Sequence, residues 1–249
     1  MSSKNTTEIK YPLFRNLGDS ALLVVAGNTV SSKINSQVRG LITEIRKKDW
    51  PGIQEMVPSY SSVVIHFNPL VLSVSAIESL ICDAWDSTTD VEEKSVKTIS
   101  IPTLYGGNFG PDLDAVAELT GLSTEEVIEK HSVVNYLVYA LGFSPGFPYL
   151  GGLDESLKCA RLCSPRLNVP AGSVAIADLQ TGIYPVASPG GWRIIGRTPI
   201  KIFDPLRNSP SIIDPGDFIK FEPIDDEKMY RDIENQITEG MFEIEVKLS

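Results

Sequence analysis

The residues best suited to chemistry crowd into three Gly- and Pro-rich stretches in the second half of the chain. The first, residues 141–152, sets Phe143, Phe147 and Tyr149 among two prolines and four glycines. Aromatic side chains supply an apolar wall, and glycines allow close approach to the backbone. The alternative is a packed loop covering one end of a barrel. The second stretch carries Arg166, just after Pro165, and then residues 169–173, VPAGS. Its guanidinium is a planar, permanently charged fork that suits a carboxylate or phosphate, or a salt bridge within a loop. The third contains QTGIYP at 180–185, SPGGW at 188–192 and IGRT at 195–198. Gln180, Tyr184 and Arg197 there offer a carboxamide, a phenol and a fixed cation, a set that binds an amide and stabilises developing oxyanion charge.

Gln180 and Tyr184 are four residues apart, so on an extended segment they share a face. The expectation is one cavity holding Gln180, Tyr184 and Arg197, walled by Phe147 and Tyr149, with Arg197 facing a substrate carboxylate. His131 is the best acid–base candidate, expected at a helix–strand junction at the edge of that cavity. A structural or capping histidine is the alternative. His131, Gln180 and Tyr184 are thus the catalytic candidates, and Arg166, Arg197, Phe147 and Tyr149 the substrate-binding ones. The set contains no nucleophile–base pair. Gly190-Gly191 does not open a helix in either phosphate-loop pattern. Three cysteines, Cys82, Cys159 and Cys163, argue against a disulfide framework, and two well-separated histidines give no metal site.

These candidates need elements to hold them. In the first hundred residues an apolar run at 21–27 reads as a strand. Ser31 or Ser32 then caps a helix with Ile34, Val38, Leu41, Ile42 and Ile45 on one face. Residues 53–57 and 62–67 read as strands. A second helix starts near Ser73 or Ser75, with Ser75 and Glu78 fitting a capping box. Residues 86–94 read as a polar linker, and residues 98–102 as another strand. The order β-α-β-β-α-β is the ferredoxin-like split βαβ arrangement.

Beyond it, Pro111 suits the first position of a short helix running through Leu119, and Ser123 with Glu126 fits a capping box for a helix ending near His131. Between Gly142 and Gly216, ten glycines and ten prolines fall among 75 residues. Short apolar runs at 133–141, 174–177, 182–185, 192–195, 200–203, 218–222 and 242–248 read as strands. Many short strands with turn signals predict an all-β barrel or sandwich. The expected class is α+β, with domains at 1–95 and 96–249.

The net charge of −10 and the single basic run Arg46-Lys47-Lys48 argue against a nucleic-acid binder. No apolar run approaches the ~18–20 residues of a membrane helix, and the polar first ten residues lack a signal-peptide core, so a cytoplasmic protein is expected. Residues 225–249 read as an acidic tail.

The motifs Tyr105-Gly106-Gly107, GPDL at 110–113, GFSPGFPYLGGL at 142–153, PRLNVPAGSVAI at 165–176, QTGIYP, SPGGW and IGRTP occur in order. Together they resemble the KipI / allophanate hydrolase subunit 1 family. Residues 159–163, CARLC, depart from a Pro-Arg-Arg common in that family; Arg161 keeps one cation. The resemblance implies an N-terminal α/β domain and a C-terminal cyclophilin-like β-barrel. Bacterial members include the B subunit of an ATP-dependent 5-oxoprolinase. That member resembles half of a carboxyltransferase. It works with two further 5-oxoprolinase subunits, one carboxyltransferase-like and one LamB/YcsF-like, on a small amide substrate. ATP is implied as the cosubstrate of the assembly. The rival implication is a KipI-type inhibitor of a sensor histidine kinase. An allophanate hydrolase needs an amidase-type Ser-Ser-Lys site, and this sequence has no such signature.

Overall fold

The computed structural model describes residues 10–88 and 96–248. The sequence-level expectations for residues 1–9, and for the linker from residue 89 to 94, lie outside that range. The chain divides into two compact units, Met1–Lys94 and Ser95–Ser249.

The first unit runs β1 (Leu13–Asn16), β2 (Ala21–Val25), α1 (Ser32–Lys48), β3 (Ile53–Pro58), β4 (Ser62–Phe67) and α2 (Val74–Asp86). Its sheet is antiparallel in the order β1-β2-β4-β3. Strand alternation turns Leu22, Val24, Val63, Ile65 and Phe67 toward the helices. There they pack with Val38, Leu41, Ile45, Ile77 and Ile81. Ser31 caps α1, its hydroxyl accepting from the Ile34 amide at 3.2 Å. Arg46, Lys47 and Lys48 form the last turn of α1. The helix dipole favours cations at that end, which accounts for the one basic run. The cap of α2 is Ser73, accepting from the Ala76 amide, and not the expected Ser75–Glu78 box.

One strand assignment is corrected. Residues 98–102 lie in β5 (Lys97–Tyr105), which pairs within the second unit. The edge beside β2 is taken instead by β1, which returns through a tight turn with Gly18 at φ +71°. A local hairpin thus fills the place that the β-α-β-β-α-β order reserves for a last strand.

The second unit continues with α3 (Leu113–Thr120), α4 (Thr124–Ser132), β6 (Asn135–Leu141), β7 (Pro148–Gly151), β8 (Arg166–Val169), β9 (Ser173–Ala177) and β10 (Gln180–Ile183). It ends with β11 (Ser188–Gly190), β12 (Arg193–Arg197), β13 (Phe218–Pro223), α5 (Glu227–Thr238) and β14 (Val246–Leu248). Strands β12-β9-β10-β7-β6-β13-β5 follow one another, and β12 pairs back onto β5 to close a seven-stranded barrel. β14 extends β5, while β8 and β11 form a separate ribbon. Ile101, Tyr136, Val138, Leu150, Val174, Ile176, Ile183, Ile195 and Phe221 fill the interior, together with Leu113, Val116 and Val127 from the two helices.

Several boundaries differ from the sequence reading. Pro111 precedes Asp112, the residue before α3, so it sits outside the helix. The Ser123–Glu126 capping box forms as expected. Residues 200–203 form no strand, only a bridge from Phe203 to Ser211. The last strand shrinks to three residues, and the acidic tail contains α5, whose Tyr230 and Ile233 are buried.

Candidate functional site

The outer face of the barrel carries Gln180, Tyr184, Arg197, Phe147 and Tyr149. On β10 the alternation is regular. Thr181 and Ile183 point inward, while Gly182 and Tyr184 face out, where the Phe147 ring lies against the Gly182 α-carbon. Gln180 shares that outer parity. Phe147 is the hub of an aromatic cluster. Its ring centroid lies 5.0 Å from Tyr149, 5.3 Å from Tyr184, 5.5 Å from Trp192 and 5.6 Å from Phe143. Most of these contacts are edge-on, the arrangement that aromatic quadrupoles favour. The loop between β6 and β7 is shaped for this. Phe143 takes φ +62° and Gly146 +80°, and the Gly146 α-carbon packs on the Phe203 ring, leaving no room for a side chain. Phe147 and Tyr184 are buried, Tyr149 half-buried and Phe143 exposed. Both readings of this loop therefore hold in part: it is packed, and it presents an aromatic wall.

Burial raises the Tyr184 phenol above its ordinary range, opposed by a hydrogen bond from the Trp192 backbone and by the charges of Arg161 and Arg166. The Tyr149 phenol is likewise raised by burial and opposed by Arg161. Both therefore stand as neutral hydroxyls at pH 7. The Arg161 guanidinium lies over the Trp192 ring, 5.8 Å from its centroid.

Arg166 is held in an ion pair within the chain. Its two terminal nitrogens donate to Asp112 Oδ2 at 2.9 Å and Oδ1 at 2.7 Å. Asp112 Oδ2 also accepts from the Ile194 amide at 2.7 Å. This bidentate pair ties β8 to the start of α3 and to β12, the loop salt bridge that the sequence left as an alternative.

Arg197 is corrected in position. A bulge between Ile194 and Gly196 shifts the alternation of β12, so that Arg197 pairs with Ser173 on the outer face. Tyr184 stands in the same row, its amide donating to Ser173 at 2.9 Å. Gln180, Tyr184 and Arg197 therefore do share a sheet face. The Arg197 guanidinium, however, lies over the Phe109 ring at 5.4 Å, beside the Leu104–Tyr230–Ile233 cluster and away from Phe147 and Tyr149. The cation at the aromatic wall is Arg161.

His131 is not at a cavity edge. It is fully buried in the barrel core. Its Nδ1 is 2.7 Å from the Tyr105 hydroxyl and its Nε2 2.9 Å from Thr181 Oγ1, while Thr181 donates to the Ala175 carbonyl at 3.1 Å. One assignment satisfies all three groups: Tyr105 donates to Nδ1, and the Nε2 proton goes to Thr181. Burial lowers its pKa to about 3, so the ring is neutral and both nitrogens are committed. It holds β5, α4 and β10 together and is out of reach of solvent protons.

Sequence reasoning missed Arg161, Trp192 and Asp112. The CARLC departure is the one visible signal for Arg161. The contacts of Trp192 and Asp112 join distant segments and leave no local trace. Among the described residues no group of three or more His, Cys, Asp or Glu side chains is placed to hold a metal, and no helix is long and apolar enough to cross a membrane.

Residues 12–213, which take in the strands and helices of the first unit and most of the barrel with its ordered glycine- and proline-rich motifs, match the family described as carboxyltransferase domain, subdomain C and D. The chain belongs to that family. It is 39% identical to the B subunit of 5-oxoprolinase from Bacillus subtilis over 224 residues, covering 86% of this chain and 92% of that protein. It is 48% identical to the 5-oxoprolinase B subunit of Escherichia coli O157:H7, covering 72% of this chain and 81% of that protein. Among solved structures, that of TTHA0988 superposes with a TM-score of 0.74 at 34% identity, over 86% of this chain and 41% of that one. This chain thus spans about two fifths of that longer protein.

Proposed function

We propose that this chain is the B subunit of an ATP-dependent 5-oxoprolinase, which opens the lactam of 5-oxo-L-proline to L-glutamate. The observation that carries this reading is the 39% and 48% identity to two proteins of that name over most of both lengths. The same relatives favour the enzyme subunit over a histidine-kinase inhibitor. The finer architecture follows: a ferredoxin-like N-terminal unit with its edge strand supplied by β1, and a cyclophilin-like barrel, divided at 95/96. The partners are a carboxyltransferase-like subunit and a LamB/YcsF-like subunit, in the cytoplasm.

A lactam carbonyl is a poor electrophile, and phosphorylation by ATP is a reasonable way to activate it. The helix starts among the described residues offer no open phosphate cradle. The starts of α1, α2, α4 and α5 are closed by their own caps, Ser31, Ser73, Ser123 and Asp226, and the start of α3 lies beside the Asp112 carboxylate. ATP is therefore assigned to the assembly, and this chain to binding and orienting the amide. Gln180 suits the lactam's N–H and C=O, and Tyr184 offers a neutral hydroxyl. Among the described residues the hydroxyl–imidazole contacts, Thr181 and Tyr105 on His131, are buried in the barrel core, and the chain is assigned a role that needs its partners.

The test is co-expression with the two partners, followed by an assay for ATP-dependent glutamate release. One size-exclusion peak containing this chain and the carboxyltransferase-like partner supports the reading. Separate peaks at micromolar concentration, or full activity from the two partners alone, overturn it.

A further inference from the structure

We propose that Arg161, lying over the buried Trp192 at the rim of the aromatic cluster, binds the carboxylate of a small cyclic amide whose flat ring lies along the half-buried Tyr149. This rests on the 5-oxoproline reading and names the residue that selects the substrate's acid group.

The neighbouring cations point elsewhere. Arg166 is held by Asp112, Arg193 Nε donates to the Ala160 carbonyl at 2.9 Å, and Arg197, whose buried Nε has no hydrogen-bond partner, lies over Phe109 and away from the cluster. Arg161 is exposed, and among the described residues it has no ion-pair partner. Its contact with the Trp192 ring at 5.8 Å positions the guanidinium while leaving its N–H edges open.

The local field has the right sign. The chain carries a net charge of −10, which disfavours anions in general. At this face, however, Arg161 acts on both Tyr149 and Tyr184 in the direction that favours negative charge.

The margin of the cluster also holds hydroxyls in need of partners. Ser144, in the turn between Phe143 and Phe147, and Ser188, paired with the cluster's Val169, each bury an Oγ with no hydrogen-bond partner. Such groups are usually satisfied. A ring amide lying along the aromatic wall brings polar edges to that margin. At the aromatic wall itself a single guanidinium, that of Arg161, matches a single negative charge, which favours a carboxylate over a phosphate dianion.

The test uses the enzyme assembled with both partners. Calorimetric titration without ATP compares 5-oxoproline, its decarboxy analogue 2-pyrrolidinone and inorganic phosphate, in wild type, Arg161→Gln and Arg161→Lys. The expected result is a loss of about 10- to 100-fold in 5-oxoproline affinity for Arg161→Gln. Partial retention is expected in Arg161→Lys, with 2-pyrrolidinone binding unchanged in both. In turnover, KM for 5-oxoproline should rise more than kcat falls. Wild-type affinity for 5-oxoproline in Arg161→Gln, equal losses for both lactams, or Arg161-dependent binding of phosphate in preference to 5-oxoproline would overturn the assignment. A wild-type assembly that turns over no 5-oxoproline would overturn the functional reading instead. The binding comparison still decides the role of Arg161.

Discussion

His131 and Thr181, fifty residues apart in the chain, meet at 2.9 Å inside the barrel, with the Tyr105 hydroxyl on the opposite ring nitrogen of His131. The relay ends on the Ala175 carbonyl. It joins three barrel strands and α4 through a neutral imidazole. His131 thus belongs to the scaffold beneath the outer face.

That relay makes stability depend on pH. The His131 pKa is about 3 in the folded chain, against an ordinary 6.5. A depressed pKa means the unfolded state binds the extra proton, so stability is full above pH 6.5 and is lost as pH falls from there toward 3. The slope approaches about 1.4 kcal/mol per pH unit at its steepest. Urea denaturation at pH 7 and pH 5 should show this loss in wild type. The loss should be smaller in His131→Gln, which should itself cost about 1–3 kcal/mol at pH 7 through unpaired polar groups. Equal pH slopes in the two proteins would refute it.

The Arg166–Asp112 pair should be structural. Removing either partner leaves a desolvated charge or an orphan amide, so Asp112→Ala and Arg166→Ala are each expected to cost about 3 kcal/mol. The double variant should cost much less than their sum, as a double-mutant cycle would report. Additive losses would return Arg166 to the list of substrate ligands.

Gly190 stands against the Tyr184 hydroxyl. A β-carbon there would come within 2.3 Å of it, and Tyr184 is wedged among Phe143, Phe147 and Trp192. Gly190→Ala should destabilise the chain by about 1–3 kcal/mol and lower the activity of the assembled enzyme. Gln180→Ala should lower activity about tenfold or more while the chain stays folded. Thermal unfolding run beside the activity assay separates the two effects.

Much of this was legible in the sequence. The 3.6-residue spacing of Val38, Leu41, Ile42 and Ile45 marks α1, and Ser123 with Glu126 marks α4. Both are local signals. The alternation that puts Gln180 and Tyr184 on one face is local too. What could not be read is non-local. Whether residues 97–105 pair with the first sheet or the barrel depends on β13, more than a hundred residues later. The Arg197 side chain is set by the bulge at Ile194–Gly196, where Gly196 sits so close to the Leu104 carbonyl that a β-carbon would lie 2.9 Å from it. Nor does any short-range pattern say that Arg161, rather than Arg197, meets Trp192. The helix α5 was obscured because its few apolar residues are spread among acids, with Tyr230 and Ile233 alone fully buried.

A subunit that works only with its partners and binds the amide on its outer barrel face should reveal itself in a titration. Fixed amounts of the carboxyltransferase-like and LamB/YcsF-like partners, with ATP and 5-oxoproline, receive increasing amounts of this chain, and glutamate formation is followed. The expected result is no glutamate from the chain alone, a rate that rises with added chain to a stoichiometric plateau, and a much lower plateau with Gln180→Ala. Steady ATP-dependent glutamate release by the chain alone, or a rate indifferent to its addition, would contradict it.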